Sequence, residues 1–363
     1  VNRNSKYLNS IIPIMNEDKP LVSIIIVNYN AGLLLRDCIE SIYESNYKNV
    51  EIIVVDNDSK DGSHLKCKNL FPNIVLIENK KNLGYCEGNN VGILMAKGKF
   101  TVILNPDTKV TDTWLDELLD AYQNIGPGLF QPKILALKDK KRISNRGNMQ
   151  TILGFGFAQD RGSFENNQSE KIRKINYASG TCFLTSTEII KKIGLFDPFL
   201  FLYHDDLDLG WRAAQIGISS YYIPKSIILH VESYSLQWSS RKFYWLERNR
   251  KYCLKTHYSK STYNKISFNL FLVDALVFFF YLSKGLLGAK IKAELDLKKN
   301  KKIIEQRYEE LEKNKRISDI EIITSFSDEI FLPENVFGKK IYRIYNNILT
   351  SLSKSCKRKL GVS

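Results

Sequence analysis

Residues 21–30 read LVSIIIVNYN, a near-continuous run of β-branched residues that ends abruptly in Asn28, Tyr29 and Asn30. A strand with one wet face alternates apolar and polar side chains. An unbroken run instead marks a strand buried on both faces, as in a parallel sheet. EIIVVDNDS (51–59), IVLIEN (74–79) and FTVILNPD (100–107) repeat the pattern, each closing on polar residues. Leu33 to Tyr43 keeps apolar residues at helical spacing, and GYCEGNNVGILMAKG (84–98) reads as a loop running into a helix. Strands alternating with short helices predict an α/β fold, a doubly wound, mainly parallel sheet with helices on both faces. Ligands of such sheets sit at the carboxyl ends of the strands. Asn28 to Asn30, Asp56 to Ser59, Asn79 and Asn82, and Asn105-Pro106-Asp107 should therefore line one crevice.

Downstream, Trp114 to Tyr122 reads as a helix, with Asp112 near its start. Residues 138–172 are polar and rich in Gly, Asn and Lys, the composition of a mobile loop or flap. YASGTCFLTS (177–186) reads as a strand and TEIIKKIG (187–194) as a helix capped by Thr187. SSYYIP (219–224) and SIILHVE (226–232) read as two further short strands. No internal repeat is present.

The chain of 363 residues is 44% hydrophobic, enough for a substantial core, and carries a formal net charge of +14. That charge points to an anionic partner: nucleic acid, an acidic membrane surface or a phosphorylated substrate. Six cysteines without paired spacing (Cys38, Cys67, Cys86, Cys182, Cys253, Cys356) read as reduced thiols in a reducing interior. The first twenty residues lack the apolar core of a signal peptide, because Ile11-Ile12-Pro13-Ile14 is short and broken by proline.

Past Thr256 the character changes. FLVDALVFFFYLSKGLLG (271–288) is nearly long enough to span a bilayer, but Asp274 would lie inside it at a cost of roughly 2.5–3.5 kcal/mol. A core helix packed on the catalytic domain is the alternative. Ile341, Ile344, Tyr345, Ile348 and Leu352 then recur at helical spacing beside Lys339, Lys340 and Arg343, the pattern of a helix lying in an anionic interface. The basic residues concentrate behind the apolar stretch and do not interleave with sheet aromatics, which favours a membrane over nucleic acid. The expected organisation is a tail (1–20), a catalytic domain (21–255) and a helical, basic, membrane-associating region (256–363). The expected location is peripheral, on the cytoplasmic face of the cell membrane.

Several residues carry candidate chemistry. Asp107, after a buried strand and a proline, can ligate a hard divalent cation that grips a diphosphate, or can simply close a turn. Asp56, ending the second strand, can accept hydrogen bonds from a base or ribose, or serve a turn. Gly84, Gly88 and Gly92 do not form a dinucleotide fingerprint; they would allow close backbone approach to a ligand, with Asn89 and Asn90 offering amides. In FLYHDDLDLGWR (201–212), a helix beginning near Asp205 sets Asp208 and Arg212 four apart as a pair. Asp205 and Asp206 then occupy the first turn, either as helix-terminal acids or as a general base. His230, at a strand end, can reach the same cation or be structural.

Taken in order, VSIIIVNYN, IIVVDNDSKDGS, NLGYCEGNNVGI, FTVILNPD, YASGTCFL, GLFDPFLFLYHDDLDLGWR and ILHVESYS resemble glycosyltransferase family 2, especially its rhamnosyltransferase-like branch, over residues 20–255. The resemblance implies a GT-A fold, an inverting sugar transfer, and a dTDP- or UDP-sugar donor favouring rhamnose. It places Asn28, Asn30, Asp56, Asn57, Asn82, Gly84, Asn89, Asn90, Asn105 and Asp107 around the donor, and Ser179, Gly180 and Trp211 on the acceptor side. Asp107 matches the last acid of the metal-binding DxD motif, whose first position is here Asn105, and His230 matches a histidine that completes the Mg²⁺ or Mn²⁺ site. Asp206 matches the catalytic base, with Asp205 where the family usually has Glu. Implied partners are the nucleotide sugar, a lipid-linked or glycan acceptor and an anionic membrane; a homodimer is compatible and nucleic acid is not expected. A sugar-phosphate nucleotidylyltransferase would need a Gly-, Arg- and Lys-bearing loop where NYNAGLLLR stands. A non-catalytic carbohydrate- or lipid-binding scaffold would not need Asp107, Asp206 and His230.

Overall fold

The computed structural model describes residues 19–165, 170–231, 239–330 and 339–362, without the side chains of 339–342. The four unbroken apolar runs form β1 (Val22–Asn28), β2 (Val50–Asp56), β3 (Val75–Glu78) and β4 (Phe100–Leu104), all parallel. Between and after them run α1 (Leu33–Glu44), α2 (Ser63–Leu70), α3 (Gly84–Met95), β5 (Thr108–Val110) and α4 (Trp114–Ile125). The chain continues through β6 (Gly128–Ala136), β7 (Ile143–Asn145), β8 (Asn148–Gln150), β9 (Gly156–Ala158), β10 (Arg173–Ile175) and β11 (Cys182–Ser186). Next come α5 (Thr187–Ile193), α6 (Asp205–Gln215), β12 (Ser219–His230) and α7 (Ser240–His257). The C-terminal helices are α8 (Lys260–Ser283), α9 (Leu287–Lys299), α10 (Lys301–Asn314), α11 (Asp319–Ile323) and α12 (Lys339–Lys359). The main sheet runs β10-β12-β6-β11-β4-β1-β2-β3, with β5 joined to β12 and β7 to β6. Only β11 runs against its neighbours β4 and β6 in the middle of the sheet.

Helices cover both faces. One core packs Leu35, Ile39 and Ile42 of α1 and Trp114, Leu115 and Leu118 of α4 against Ile24, Ile26 and Val54. The other joins Ile25, Ile53 and Val55 to α5, α6 and α7, and continues without a break to Ile323, Leu349, Cys356 and Val362. All six cysteines are free and buried.

Three expectations change. The polar stretch 138–172 is not simply a loop: it contains β7, β8 and β9. Polar groups hold it, with Lys133 and Arg146 paired to Glu165 and Glu170 and an amide chain linking Gln131, Asn145 and Asn148. Residues 219–230 form a single strand, whose register with β6 slips between Ile223 and Ile227. Pro224, with no amide proton to give the ladder, lies in that slip. The cap of α5 is Ser186, whose hydroxyl accepts from Ile189 N, while the Thr187 hydroxyl donates to Gly98 O.

The apolar stretch forms α8, long and apolar enough to cross a membrane by length and composition. Its inner face, including Ile266, Leu270 and Val273, is buried on the protein, and Asp274 lies 2.6 Å from both Lys251 and Lys290. The expected interfacial strip of α12 splits. Ile344 and Ile348 are exposed, whereas Tyr345 and Leu352 pack against core residues, because α8 offers them an apolar partner. Ile341 lies outside the described side chains.

Candidate active site

In the β1–β2 register Asn28 stands opposite Asp56, so both reach the same sheet edge. Asn28 is fully buried and its amide is committed: Nδ2 donates to Asp56 Oδ1 (2.7 Å) and to the hydroxyls of Ser59 and Ser63 (3.0 Å each). Asp56 also accepts from Ser59 N at 2.8 Å, and His64 Nδ1 stands 3.3 Å from Oδ1. Asn28 thus orients Asp56, which is 2% exposed and keeps lone pairs for a further donor at the strand end. Asn30, at φ 53°, takes the Lys60 amide proton at 2.7 Å and ties the two strand-end loops together.

Asn57 bridges Gly84 O and the Asn79 amide, and Asn82 Oδ1 accepts from Gly84 N at 2.8 Å. Gly84 has φ 80°, and a Cβ there would collide with the Phe201 ring and carbonyl. That carbonyl receives the amides of Tyr85 (2.8 Å) and Cys86 (3.4 Å), satisfying the first turn of α3. Because α3 starts at Gly84, Asn89 and Asn90 lie inside a buried helix and not on a loop beside a ligand. Asn90 exchanges both its amide groups with the Phe196 backbone at 2.9 Å, and Asn89 donates to Tyr85 O. Gly88 and Gly92 likewise serve the approach of α3 to the sheet, since a Cβ on either would strike Val27 or Ile25.

Beyond β4, the Asn105 amide donates to Thr181 O and its carbonyl accepts the Thr108 hydroxyl, fixing the Asn-Pro-Asp turn. β5 pairs with β12, setting Thr108 opposite His230, and Val231 N donates to Asp107 O. Asp107 Oδ1 and His230 Nε2 face each other at 3.3 Å. Among the described residues, the buried Asp107 Oδ1 has no hydrogen-bond partner. Two ligand atoms each ~2.1 Å from one cation and at right angles to it stand ~3.0 Å apart. An orphaned carboxylate oxygen beside an imidazole nitrogen fits a Mg²⁺- or Mn²⁺-type ion with open positions for other oxygen ligands.

The acid cluster opens α6. Asp205 is buried and Asp206 half-buried. Gly180 N donates to Asp206 Oδ2 (3.2 Å) and Leu207 N to its Oδ1 (2.8 Å). A Cβ on Gly180 would stand 3.3 Å from Asp205 Oδ2 and 3.0 Å from the Tyr85 hydroxyl, which donates to Gly180 O. Burial pushes both carboxyls above the usual range, and the Asp206 charge raises Asp205 further. Burial also pushes Asp208 up, but Arg212 and His257 overcome it and hold that carboxyl far below the usual range. Arg212 donates to Asp208 at 2.9 and 2.7 Å, the pairing expected from the spacing. Ser179 is buried, its amide donating to Gln131. Trp211 does not face the acceptor side: it is 2% exposed, in contact with His257, Tyr258 and Phe326. Leu207, Trp211 and Ala214 share the inward stripe of α6 at helical spacing.

The feature that sequence reasoning missed is the clamp on the loop before the acids. Phe201, Tyr203 and His204 all have positive φ (62°, 66° and 59°). Asn249 of α7 donates to the carbonyls of Leu200, Leu202 and Tyr203, and Arg248 to those of Phe199 and Leu200. Four consecutive polar residues, Glu247 to Arg250, are all buried. Their signal was a helix whose apolar stripe is interrupted by groups that must find partners inside.

Residues 23–194 match the model of glycosyl transferase family 2. The chain is 25% identical over 239 residues to the N-acetylglucosaminyl-diphospho-decaprenol L-rhamnosyltransferase of Mycobacterium tuberculosis, spanning 59% of this chain and 77% of that protein. It is 24% identical to a low-salt glycan biosynthesis hexosyltransferase of Haloferax volcanii (54% and 63%) and 28% identical to an uncharacterised glycosyltransferase of Rickettsia typhi (73% and 81%). The crystal structure of GalNAc-T7 with UDP, GalNAc and Mn²⁺ aligns with a TM-score of 0.55 at 16% identity, over 68% of this chain and 49% of that one, a likeness of fold. With its mostly parallel sheet and its motifs in this order, the chain contains a glycosyl transferase family 2 domain over residues 23–194 and has a GT-A fold.

Proposed function

We propose that the protein is an inverting, cation-assisted glycosyltransferase that moves a sugar, rhamnose by preference, from a dTDP- or UDP-linked donor to a lipid-linked glycan acceptor. The observation that carries the reading is the arrangement of Asp206. Half-buried, raised in pKa by burial and fixed by two backbone amides, its carboxylate can accept a proton from an acceptor hydroxyl. Burial holds that basicity up, and burial together with the Asp206 charge raises Asp205 beside it as well. Asp56, positioned by Asn28, meets the nucleoside, and Asp107 with His230 would hold a divalent cation. When bound, such an ion neutralises charge developing on the departing diphosphate. The rhamnose and lipid-linked preferences are supported by the Mycobacterium tuberculosis relative. Residues 21–255 are proposed as the catalytic domain and 256–363 as the region that keeps the enzyme on the inner face of the cell membrane.

The test is release of nucleoside diphosphate from a panel of nucleotide sugars, with and without a polyprenyl-diphospho-N-acetylglucosamine acceptor. Asp206→Asn should lower turnover about 100-fold or more with donor affinity little changed, and the product anomer should be inverted. Turnover near the wild-type rate in this variant, or a retained anomer, would sink the reading.

A further inference from the structure

Among the described residues, nothing covers the outer face of α8. Phe268, Phe271, Phe278, Phe279 and Leu282 are exposed, with Phe268 and Phe271 at 63% and 66%. At about 100° per residue these positions share one arc roughly 100° wide, and they extend about 21 Å along the axis. Scattered exposed apolar side chains are ordinary, but a continuous phenylalanine stripe is not.

We infer that this stripe is a docking surface for an anionic lipid bilayer, with α8 lying in the plane of the headgroup–acyl boundary. The inference rests on the membrane-side reading above but moves the main contact from α12 to α8. A spanning orientation conflicts with the inner face, where Ile266, Leu270, Val273 and Tyr281 are buried on the protein. Asp274 on the flank is ion-paired to Lys251 and Lys290, so rotating α8 into lipid would break both pairs and carry a carboxylate into the acyl region. Charge identifies the occupant. Lys265 and Lys284 are exposed at the two ends of the stripe, and Lys359 Nζ lies 5.7 Å from the Phe268 ring centroid. Lys354 and Arg358 are exposed on α12, which packs on α8. Apolar side chains rimmed by cations match a bilayer bearing anionic headgroups. A second copy of the chain would bring another basic rim against this one.

The experiment is co-sedimentation of the full-length protein with vesicles of phosphatidylcholine alone or with about one third phosphatidylglycerol. Wild type should partition onto the anionic vesicles and be released by salt. Phe271→Ser with Phe279→Ser should weaken partitioning about 100-fold, because two phenylalanines leave the acyl boundary. Lys265→Gln with Lys284→Gln should weaken it less and flatten the salt dependence. Ile344→Ser with Ile348→Ser should have the smallest effect. Nucleoside diphosphate release without vesicles is read in parallel and should be unchanged in all three. Wild type that hydrolyses donor but stays in the supernatant overturns the lipid surface and leaves the catalytic reading standing. A Phe271→Ser/Phe279→Ser protein that sediments like wild type also overturns it. So does a wild-type dimer that this variant dissociates while vesicle binding persists, since the stripe is then a contact between copies.

Discussion

Asn249→Asp removes one kind of atom from the clamp that holds the acids proposed as catalytic. The side chain is fully buried; its Nδ2 donates to Leu200 O (3.0 Å), Leu202 O (2.8 Å) and Tyr203 O (2.7 Å), and its Oδ1 accepts from Arg248 Nε at 2.9 Å. Aspartate keeps the volume and the acceptor for Arg248 but presents oxygen to three carbonyl oxygens. The amide's two hydrogens are shared among the three carbonyls, so at about 1 kcal/mol net per hydrogen bond the folded state should lose about 2 kcal/mol, with the Arg248 charge offsetting part of the new repulsion. The freed loop holds three non-glycine residues at positive φ, each under about 1–3 kcal/mol of strain that the clamp restrains. Relaxation of that strain would swing the start of α6. A displacement of about 1 Å at a reacting group costs on the order of 100-fold in rate. The expected outcome is a Tm lower by roughly 5 °C and a kcat lower by about 100-fold. Donor KM should hold, because Asp56 and Asp107 stand on other strand ends. Thermal melts and initial rates on purified protein measure this. A variant with wild-type kcat and melting would show that the loop keeps its shape without Asn249.

Asp208→Asn leaves the buried Arg212 without its counter-charge and should cost about 3–5 kcal/mol of stability, read by calorimetry; an unchanged melting temperature would refute the pairing. Asp205 has a raised folded-state pKa, so the native state binds its proton more tightly, and the stability gained is present at low pH and lost as pH rises through that raised value. Asp205→Asn, which mimics the protonated acid, should therefore melt like wild type near pH 4 and above it at pH 8; equal melting at both pH values contradicts the shift. Excess chelator should abolish transfer and Mg²⁺ or Mn²⁺ restore it, while Asp107→Ala should lose affinity for a nucleoside diphosphate more than for the monophosphate by calorimetric titration. Full transfer in chelator would leave Asp107 as a turn residue.

The sheet was legible because β1, β2 and β4 carry near-continuous apolar runs suited to a strand buried on both faces, whereas β3, with the same kind of run, is a half-buried edge strand. The Asp208–Arg212 pair was legible from spacing alone. What escaped the sequence depends on polar groups that find partners far along the chain. Residues 138–172 look like a flap because their order comes from Lys133, Arg146, Glu165 and Glu170, and ion pairs leave no periodicity. Asn89 and Asn90 have the composition of a binding loop, but the Phe196 and Tyr85 backbones consume their amides. Trp211 was misread because a large aromatic one residue from a buried arginine fits either a sugar platform or a core stripe, and only packing decides.

The core that runs from Ile25 to Val362 also limits how this enzyme can exchange parts with its relatives. A crossover at residues 255/256 would cut α7 two residues before His257, whose Nε2 lies 3.3 Å from Asp208 Oδ1. It would also remove Arg307, 3.1 Å from Asp197, and Lys315, which donates to His257 O. A recombinant inheriting its sheet from one parent and its helices from another would thus lose the pairs that bind α6 and α7 to the C-terminal helices. In this chain, the strand-end loops are therefore a safer place for exchange than the C-terminal helices.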